Sequence, residues 1–110
     1  DSARVLRHAA RHGVQYVNHT FTTQLALSAS LQPFAGSAAD WLCEYPVEAT
    51  PLASGLTRDA ITVGSAGELR APEAPGLGID PDLDAVRPYL LEVEIAVGGR
   101  VLYRTPDLVA

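Results

Sequence analysis

Apolar positions recur at helical spacing in the opening stretch, where Val5, Leu6 and Ala9 follow Asp1 and Ser2, two residues suited to cap a helix. The pattern predicts a helix through Arg11, with Gly13 at the C′ position. Val14-Gln15-Tyr16-Val17 comes next, short, β-branched and aromatic, as a buried strand would be, and it stops at Asn18-His19-Thr20. Helical spacing returns from Thr22 or Thr23, with Leu27, Leu31 and Phe34 on one apolar stripe, Ala and Ser between them, and Gly36 closing the run. Asp40 then precedes a second short strand, Trp41-Leu42-Cys43-Glu44-Tyr45, ended by Pro46. Helix, strand, helix, strand is the alternation of an α/β parallel sheet.

After Pro46 the pattern changes. A short helical piece is expected around Pro51 to Leu56, and Ile61-Thr62-Val63 and Glu68-Leu69-Arg70 flank Gly64-Ser65-Ala66-Gly67 as the arms of a hairpin would. The stretch from Ala71 to Asp82, punctuated by Pro72, Pro75, Gly76, Gly78 and Pro81, reads as an ordered loop. Leu91 to Val97 alternates apolar and other residues, Gly98-Gly99 supplies a turn, and Val101-Leu102-Tyr103 returns, predicting a second hairpin with one face buried. These shifts put an organisational boundary near residues 57 to 60, with 1–57 as strand-and-helix units and 58–110 as hairpins and loop.

Composition narrows the class. The chain has 110 residues, 47% hydrophobic and 19% charged, an ordinary globular balance that allows one domain or part of one. By the scaling for small domains it could bury roughly two thirds of its unfolded surface. No apolar run approaches the roughly 20 residues of a membrane span. All eight basic residues are arginine, set against 13 acidic ones for a net charge of -5, and they do not cluster, which argues against a nucleic-acid partner. Without lysine, no lysine base or Schiff-base nucleophile is present. The lone Cys43 cannot form an internal disulfide, which suits a reducing, cytoplasmic setting. The chain contains no methionine and shows no signal-peptide pattern, and is expected to be a piece of something longer.

His19 and Glu44 stand out chemically. Each closes a predicted strand, and in a (β/α)8 barrel reactive side chains sit at those C-terminal ends, where two neighbouring strands share one mouth. An imidazole and a carboxylate facing one site can serve as base and acid. A histidine ending a strand is more commonly a hydrogen-bonded structural residue, and a glutamate there a solvated one, so spacing alone does not make a site.

Other features favour plain readings. His8 and His12 have the spacing of a zinc pair but lack the glutamate of a His-Glu-x-x-His motif, and a solvated helix face is favoured. Asn18-His19-Thr20 is formally a glycosylation acceptor, but no secretory signal accompanies it. Asn18 satisfies local backbone groups or lies at the edge of the site. Cys43 points away from Glu44, by strand alternation, as a buried and inert thiol. Gly76 and Gly78 are turn residues and Trp41 belongs to the core.

Taken together, the words Val17-Asn18-His19-Thr20-Phe21-Thr22, the Ala/Leu/Ser-rich helix, and Trp41-Leu42-Cys43-Glu44-Tyr45-Pro46 resemble the seventh and eighth barrel strands of the enolase superfamily, in its mandelate racemase/muconate lactonizing enzyme family. Downstream, Gly67-Glu68-Leu69, Ala71-Pro72 and Ala74-Pro75-Gly76-Leu77-Gly78-Ile79 before Asp80 look like that family's hairpin and PGLG loop. The resemblance implies the C-terminal part of a (β/α)8 barrel, its last two strands and their helices in 1–57, followed by a hairpin-containing segment in 58–110 that packs on the barrel and joins the capping domain.

It also implies a chemistry. Family members hold a carboxylate substrate on Mg²⁺, remove the α-proton with a lysine or histidine, and stabilise the enediolate electrostatically. His19 matches the histidine base, and Glu44 the glutamate that hydrogen-bonds the substrate carboxylate, with Asn18 beside them in the substrate-binding set. The metal's three carboxylate ligands and the aspartate orienting the histidine belong to strands expected to precede this chain, so Mg²⁺ would not be bound by this segment alone. The expected reaction is sugar-acid dehydration, with racemisation or epimerisation of a 2-hydroxy acid as the alternative, and a non-catalytic fragment, inactive alone, as the third reading. The expected partners are the sugar-acid substrate, the N-terminal remainder of the same enzyme, and further copies in a homo-oligomer.

Overall fold

The computed structural model of the chain describes residues 1–35, 42–48 and 50–106. The expected helix end at Gly36, the lead-in at Asp40 and the core role of Trp41 lie outside the described residues.

Helix α1 (Ser2–Arg11) begins where Asp1 and Ser2 predict it, but Asp1 caps through its backbone carbonyl, which accepts from Arg4 and Val5, and not through its carboxylate. Its C-terminus is a Schellman closure. Gly13 takes a φ of 65°, Val14 N–H reaches Ala9 C=O at 2.9 Å and Gly13 N–H reaches Ala10 C=O at 3.3 Å, so the Ala9 and Ala10 carbonyls are satisfied. Leu6 is buried and Val5 is exposed, which makes the apolar face narrower than its sequence spacing suggests. Helix α2 (Gln24–Leu31) starts at Thr23, whose Oγ1 accepts from Ala26 N–H at 3.1 Å, and runs into a 3-10 turn, Gln32–Phe34. Phe34 meets Tyr16 with ring centroids 5.6 Å apart.

The core is small. Among the described residues Leu27, Leu31 and Ile61 form its one cluster, with Cys43, Tyr45, Leu69 and Ala71 packed around, and Leu6 is buried apart from it. The chain exposes 8314 Å², against about 5,800 Å² for a compact monomer of its mass. Its radius of gyration is 17.7 Å, against about 13 Å for a compact chain of this length. The burial that its length would permit is therefore not reached.

The segments 14–17 and 42–45 carry no strand ladder among the described residues, contrary to the sequence pattern. Parallel strands need neighbours on their edges, and here the two segments meet through side chains, leaving Val14, Val17 and Leu42 exposed. Past them, helix α3 (Pro51–Gly55) has Thr50 as its cap, with Oγ1 accepting from Ala53 N–H at 3.1 Å. The chain then meets the later loop. Thr57 pairs with Pro81, Arg58 N–H reaches Asp80 C=O and Asp82 N–H reaches Leu56 C=O.

The expected hairpin at 61–70 forms its turn but no strands. Gly64 N–H bonds to Glu68 C=O at 2.8 Å, and Gly67 adopts a φ of 84°. The arms form no strand pairing beyond the turn, and the backbone of Ile61 is bonded elsewhere: its N–H goes to Gln24 Oε1 at 2.9 Å and its C=O accepts from Tyr45 Oη at 3.1 Å. The proline-rich loop is irregular as expected, and Ser28 Oγ donates to the Leu77 carbonyl within it. Two short pieces that the sequence reading did not anticipate follow: helix α4 (Leu83–Val86), capped by Asp82 Oδ1 on the amides of Asp84 and Ala85, and a 3-10 turn, Arg87–Tyr89.

The second hairpin is present. Strands β1 (Glu94–Val97) and β2 (Arg100–Arg104) pair antiparallel, Ile95 opposite Tyr103 and Val97 opposite Arg100, with an irregularity between Ile95 and Ala96. Gly98 and Gly99, both at positive φ, make the turn. Every residue of both strands is exposed, so the face expected to be buried has nothing packed closely on it among the described residues.

Candidate functional site

The three residues that follow the first extended segment all engage Glu44. Asn18 is buried and grips the Glu44 backbone: Glu44 N–H donates to Asn18 Oδ1 at 2.7 Å, and Asn18 Nδ2 donates to Glu44 C=O at 3.1 Å. His19 Nδ1 lies 3.1 Å from Glu44 Oε2, and the same oxygen accepts from Thr20 N–H at 3.1 Å. One carboxylate oxygen is thus held from two sides. A carboxylate only accepts, so a neutral His19 places its proton on Nδ1, leaving Nε2 with a free lone pair.

The pair is open to solvent, with the His19 side chain 82% exposed and that of Glu44 32% exposed. The Phe21 ring stands edge-on to the imidazole with centroids 5.0 Å apart, restricting one side of it. The structure therefore brings together His19 and Glu44, the two residues singled out as base and acid. It brings Asn18 to the same place with both amide hydrogens already given to protein acceptors, Glu44 C=O and Ser30 Oγ.

Cys43 faces the other way, into the cluster of Leu27, Leu31 and Ile61. Burial pushes its thiol up from its ordinary value, the Asn18 side chain beside it works against that, and the Glu44 charge adds to it. A protonated, partly buried thiol is a poor nucleophile. The remaining sequence candidates also take plain roles. His8 and His12 sit ring to ring at 4.5 Å on an exposed helix face, and no group of three or more His, Cys, Asp or Glu side chains able to hold a metal exists among the described residues. Asn18 and Thr20 are 3% and 5% exposed, so the glycosylation triplet is closed to an enzyme in the folded chain. Gly76 and Gly78 have positive φ, and a Cβ on Gly78 would lie 2.5 Å from that of Pro72, which fits their reading as turn residues.

Sequence reasoning missed the polar residues that tie the site to its surroundings. Gln24, Leu27, Ser28 and Leu31 recur at helical spacing on one face of α2, and the two polar members bond Ile61 N–H and the Leu77 carbonyl. Polar residues interleaved with an apolar stripe were the available signal.

The family described as enolase C-terminal domain-like matches residues 1–86. The chain belongs to the enolase superfamily. Its likeness is to the C-terminal segment of the mandelate racemase type: the crystal structure of a predicted mandelate racemase from Rhodobacter sphaeroides is 54% identical and superposes with a TM-score of 0.89 over 96% of this chain. The match spans 27% of that protein. No curated protein matches the chain. The enolase-type α/β architecture is thereby established for a segment whose own ladders are few. Among the described residues no helix is long and apolar enough to cross a membrane.

Proposed function

We propose that the chain is the C-terminal part of an enolase-superfamily enzyme that abstracts the α-proton of a carboxylate substrate, with residues 1–57 supplying the last two strand and helix units of a (β/α)8 barrel and residues 58–110 packing on the barrel and capping domain. The observation that carries the reading is the His19–Glu44 contact, one carboxylate oxygen shared by the imidazole Nδ1 and the Thr20 amide. His19 Nε2, facing solvent, is the base. It takes the proton from the α-carbon, and the C–H electron pair moves into the enediolate. Glu44 lies at the carboxylate end of the substrate, where a proton on its other oxygen, Oε1, would donate to the enediolate oxygen on which that charge appears. In dehydration the β-hydroxyl then leaves, protonated by the same imidazole.

Sugar-acid dehydration is the reaction we favour. Racemisation of a 2-hydroxy acid is the second reading, supported by the likeness to a predicted mandelate racemase; it needs a second base, on the opposite face of the α-carbon, from outside this chain. Magnesium in this family supplies electrostatic stabilisation of the enediolate. The described residues do not fit a magnesium site, since no group of three or more suitable ligands converges, and no step here passes through the metal. The large exposed surface supports a required partner, the N-terminal remainder of the same enzyme.

The test is α-proton exchange in heavy water across a panel of sugar acids and 2-hydroxy acids, comparing the full-length protein with His19→Asn. Loss of exchange by about 10²-fold or more is expected for a general base. Undiminished exchange would remove His19 from the chemistry.

A further inference from the structure

The side chain of Asn18 is engaged at both ends, and the chemistry of its partners fixes its orientation. Glu44 N–H can only donate, so it faces Oδ1 at 2.7 Å, and Glu44 C=O can only accept, so it faces Nδ2 at 3.1 Å. The second Nδ2 hydrogen goes to Ser30 Oγ at 3.0 Å, and that hydroxyl spends its own hydrogen on the Leu27 carbonyl at 2.7 Å. A continuous path therefore runs from the backbone of α2, through Ser30 and Asn18, to the backbone of Glu44. Asn18 is 3% exposed, which strengthens these bonds and leaves no water to replace them.

What the side chain does here is the work of a strand ladder. No backbone hydrogen bond joins 14–20 to 42–46 among the described residues. The primary amide of Asn18 supplies the acceptor and the donor that a neighbouring strand would have presented to Glu44. The adjacent residue is His19. Fixing the Glu44 backbone to residue 18 sets where its carboxylate can reach, and so sets its distance to the imidazole of residue 19.

We infer that Asn18 is a positioning residue, whose amide clamps the Glu44 backbone and thereby holds the Glu44 carboxylate on His19. This rests on the proposed roles of His19 and Glu44 and assigns Asn18 a task other than binding substrate. Aspartate at this position keeps an acceptor for Glu44 N–H but loses both donors, and sets a negative charge against the Glu44 carbonyl. Alanine loses everything.

The experiment is steady-state kinetics of α-proton abstraction by the full-length protein with Asn18→Asp and Asn18→Ala, beside His19→Asn, with thermal unfolding of each. Misplacement of a reacting group by about 1 Å costs about 10²-fold, so kcat is expected to fall by about that factor in both variants, with KM little changed. A raised KM with unchanged kcat would show that Asn18 binds substrate and would overturn the proposal, as would unchanged kinetics in folded variants. If His19→Asn itself stays fully active, the mechanistic reading fails; if only the Asn18 variants stay active, the clamp alone fails. Where the variants do not fold, hydrogen exchange of the wild-type protein decides: a protected Glu44 amide is expected, and exchange at the unprotected rate overturns the clamp.

Discussion

The region around α2 and the terminal hairpin satisfy their backbones by contrasting means. In the hairpin, β1 and β2 pair residue by residue across a two-glycine turn, and Thr105 extends the pairing by bonding Val93 in both directions, yet all the strand residues are exposed. Around α2 the reverse holds: Leu27 and Leu31 are buried, and side chains of Asn18, Gln24 and Tyr45 bond backbone groups far away in sequence. One region has hydrogen-bonded order without burial, and the other has burial with order borrowed from side chains. The difference teaches that a turn with cross-strand pairing can order a hairpin without burial, whereas a site assembled from separate segments needs polar side chains placed on the faces that bury it.

Deleting core volume should break this contrast most. Leu27 is fully buried, and Leu27→Ala is expected to cost about 3 kcal/mol in denaturant unfolding, whereas Ile95→Ala on the exposed strand should change stability by no more than about 0.5 kcal/mol in this chain. Equal effects would mean that the hairpin is packed after all. A smaller, confined effect is expected from Gly99→Ala, because φ there is 78°; the left-handed strain of about 1–2 kcal/mol should appear as faster amide exchange in β1 and β2, with the α2 region unchanged.

Cys43 sharpens the comparison through pH. Burial raises its folded thiol above the unfolded one, so the protonated form is favoured in the fold. That contribution is complete below the unfolded thiol's range and is lost as pH rises through the raised value. Alkylation of Cys43 should therefore be slow at neutral pH and accelerate only in alkaline solution, and rapid neutral labelling would contradict its packing. The least effect belongs to the exposed Glu94–Arg104 pair, whose Nε to Oε2 distance is 3.0 Å. Arg104→Ala should cost less than about 0.5 kcal/mol, and salt should erase even that.

Much of this contrast was legible in the residues. Asp1 and Thr23 mark helix starts, Gly13 marks a helix end and Gly98-Gly99 a turn, because each acts on atoms within a few positions of itself. The convergence of His19 and Glu44 was readable from their place at the ends of two short apolar segments. What was not legible depends on partners remote in sequence. The hairpin at 61–70 was expected from its glycines, but its turn forms without a ladder, and the Ile61 N–H bonds to Gln24, 37 residues away, where no local signal points. Likewise, alternation in 91–97 predicts which side chains share a face, while burial of that face depends on another surface, which no alternation encodes.

The clamp on Ile61 has a consequence for how this part of the chain tolerates copying errors. Gln24 and Tyr45 bond its amide and carbonyl, so those two bonds ask nothing of the side chain beyond an N–H, which proline lacks, while the buried side chain beside Leu27 and Leu31 must stay apolar. A lost or gained codon between the Thr57–Pro81 bridge and Ile61 is a different matter: it would offer the same two bonds to a neighbour whose side chain points elsewhere and leave Leu27 and Leu31 without their third member. This joint is therefore expected to accept apolar spelling changes of similar size and to reject changes of length.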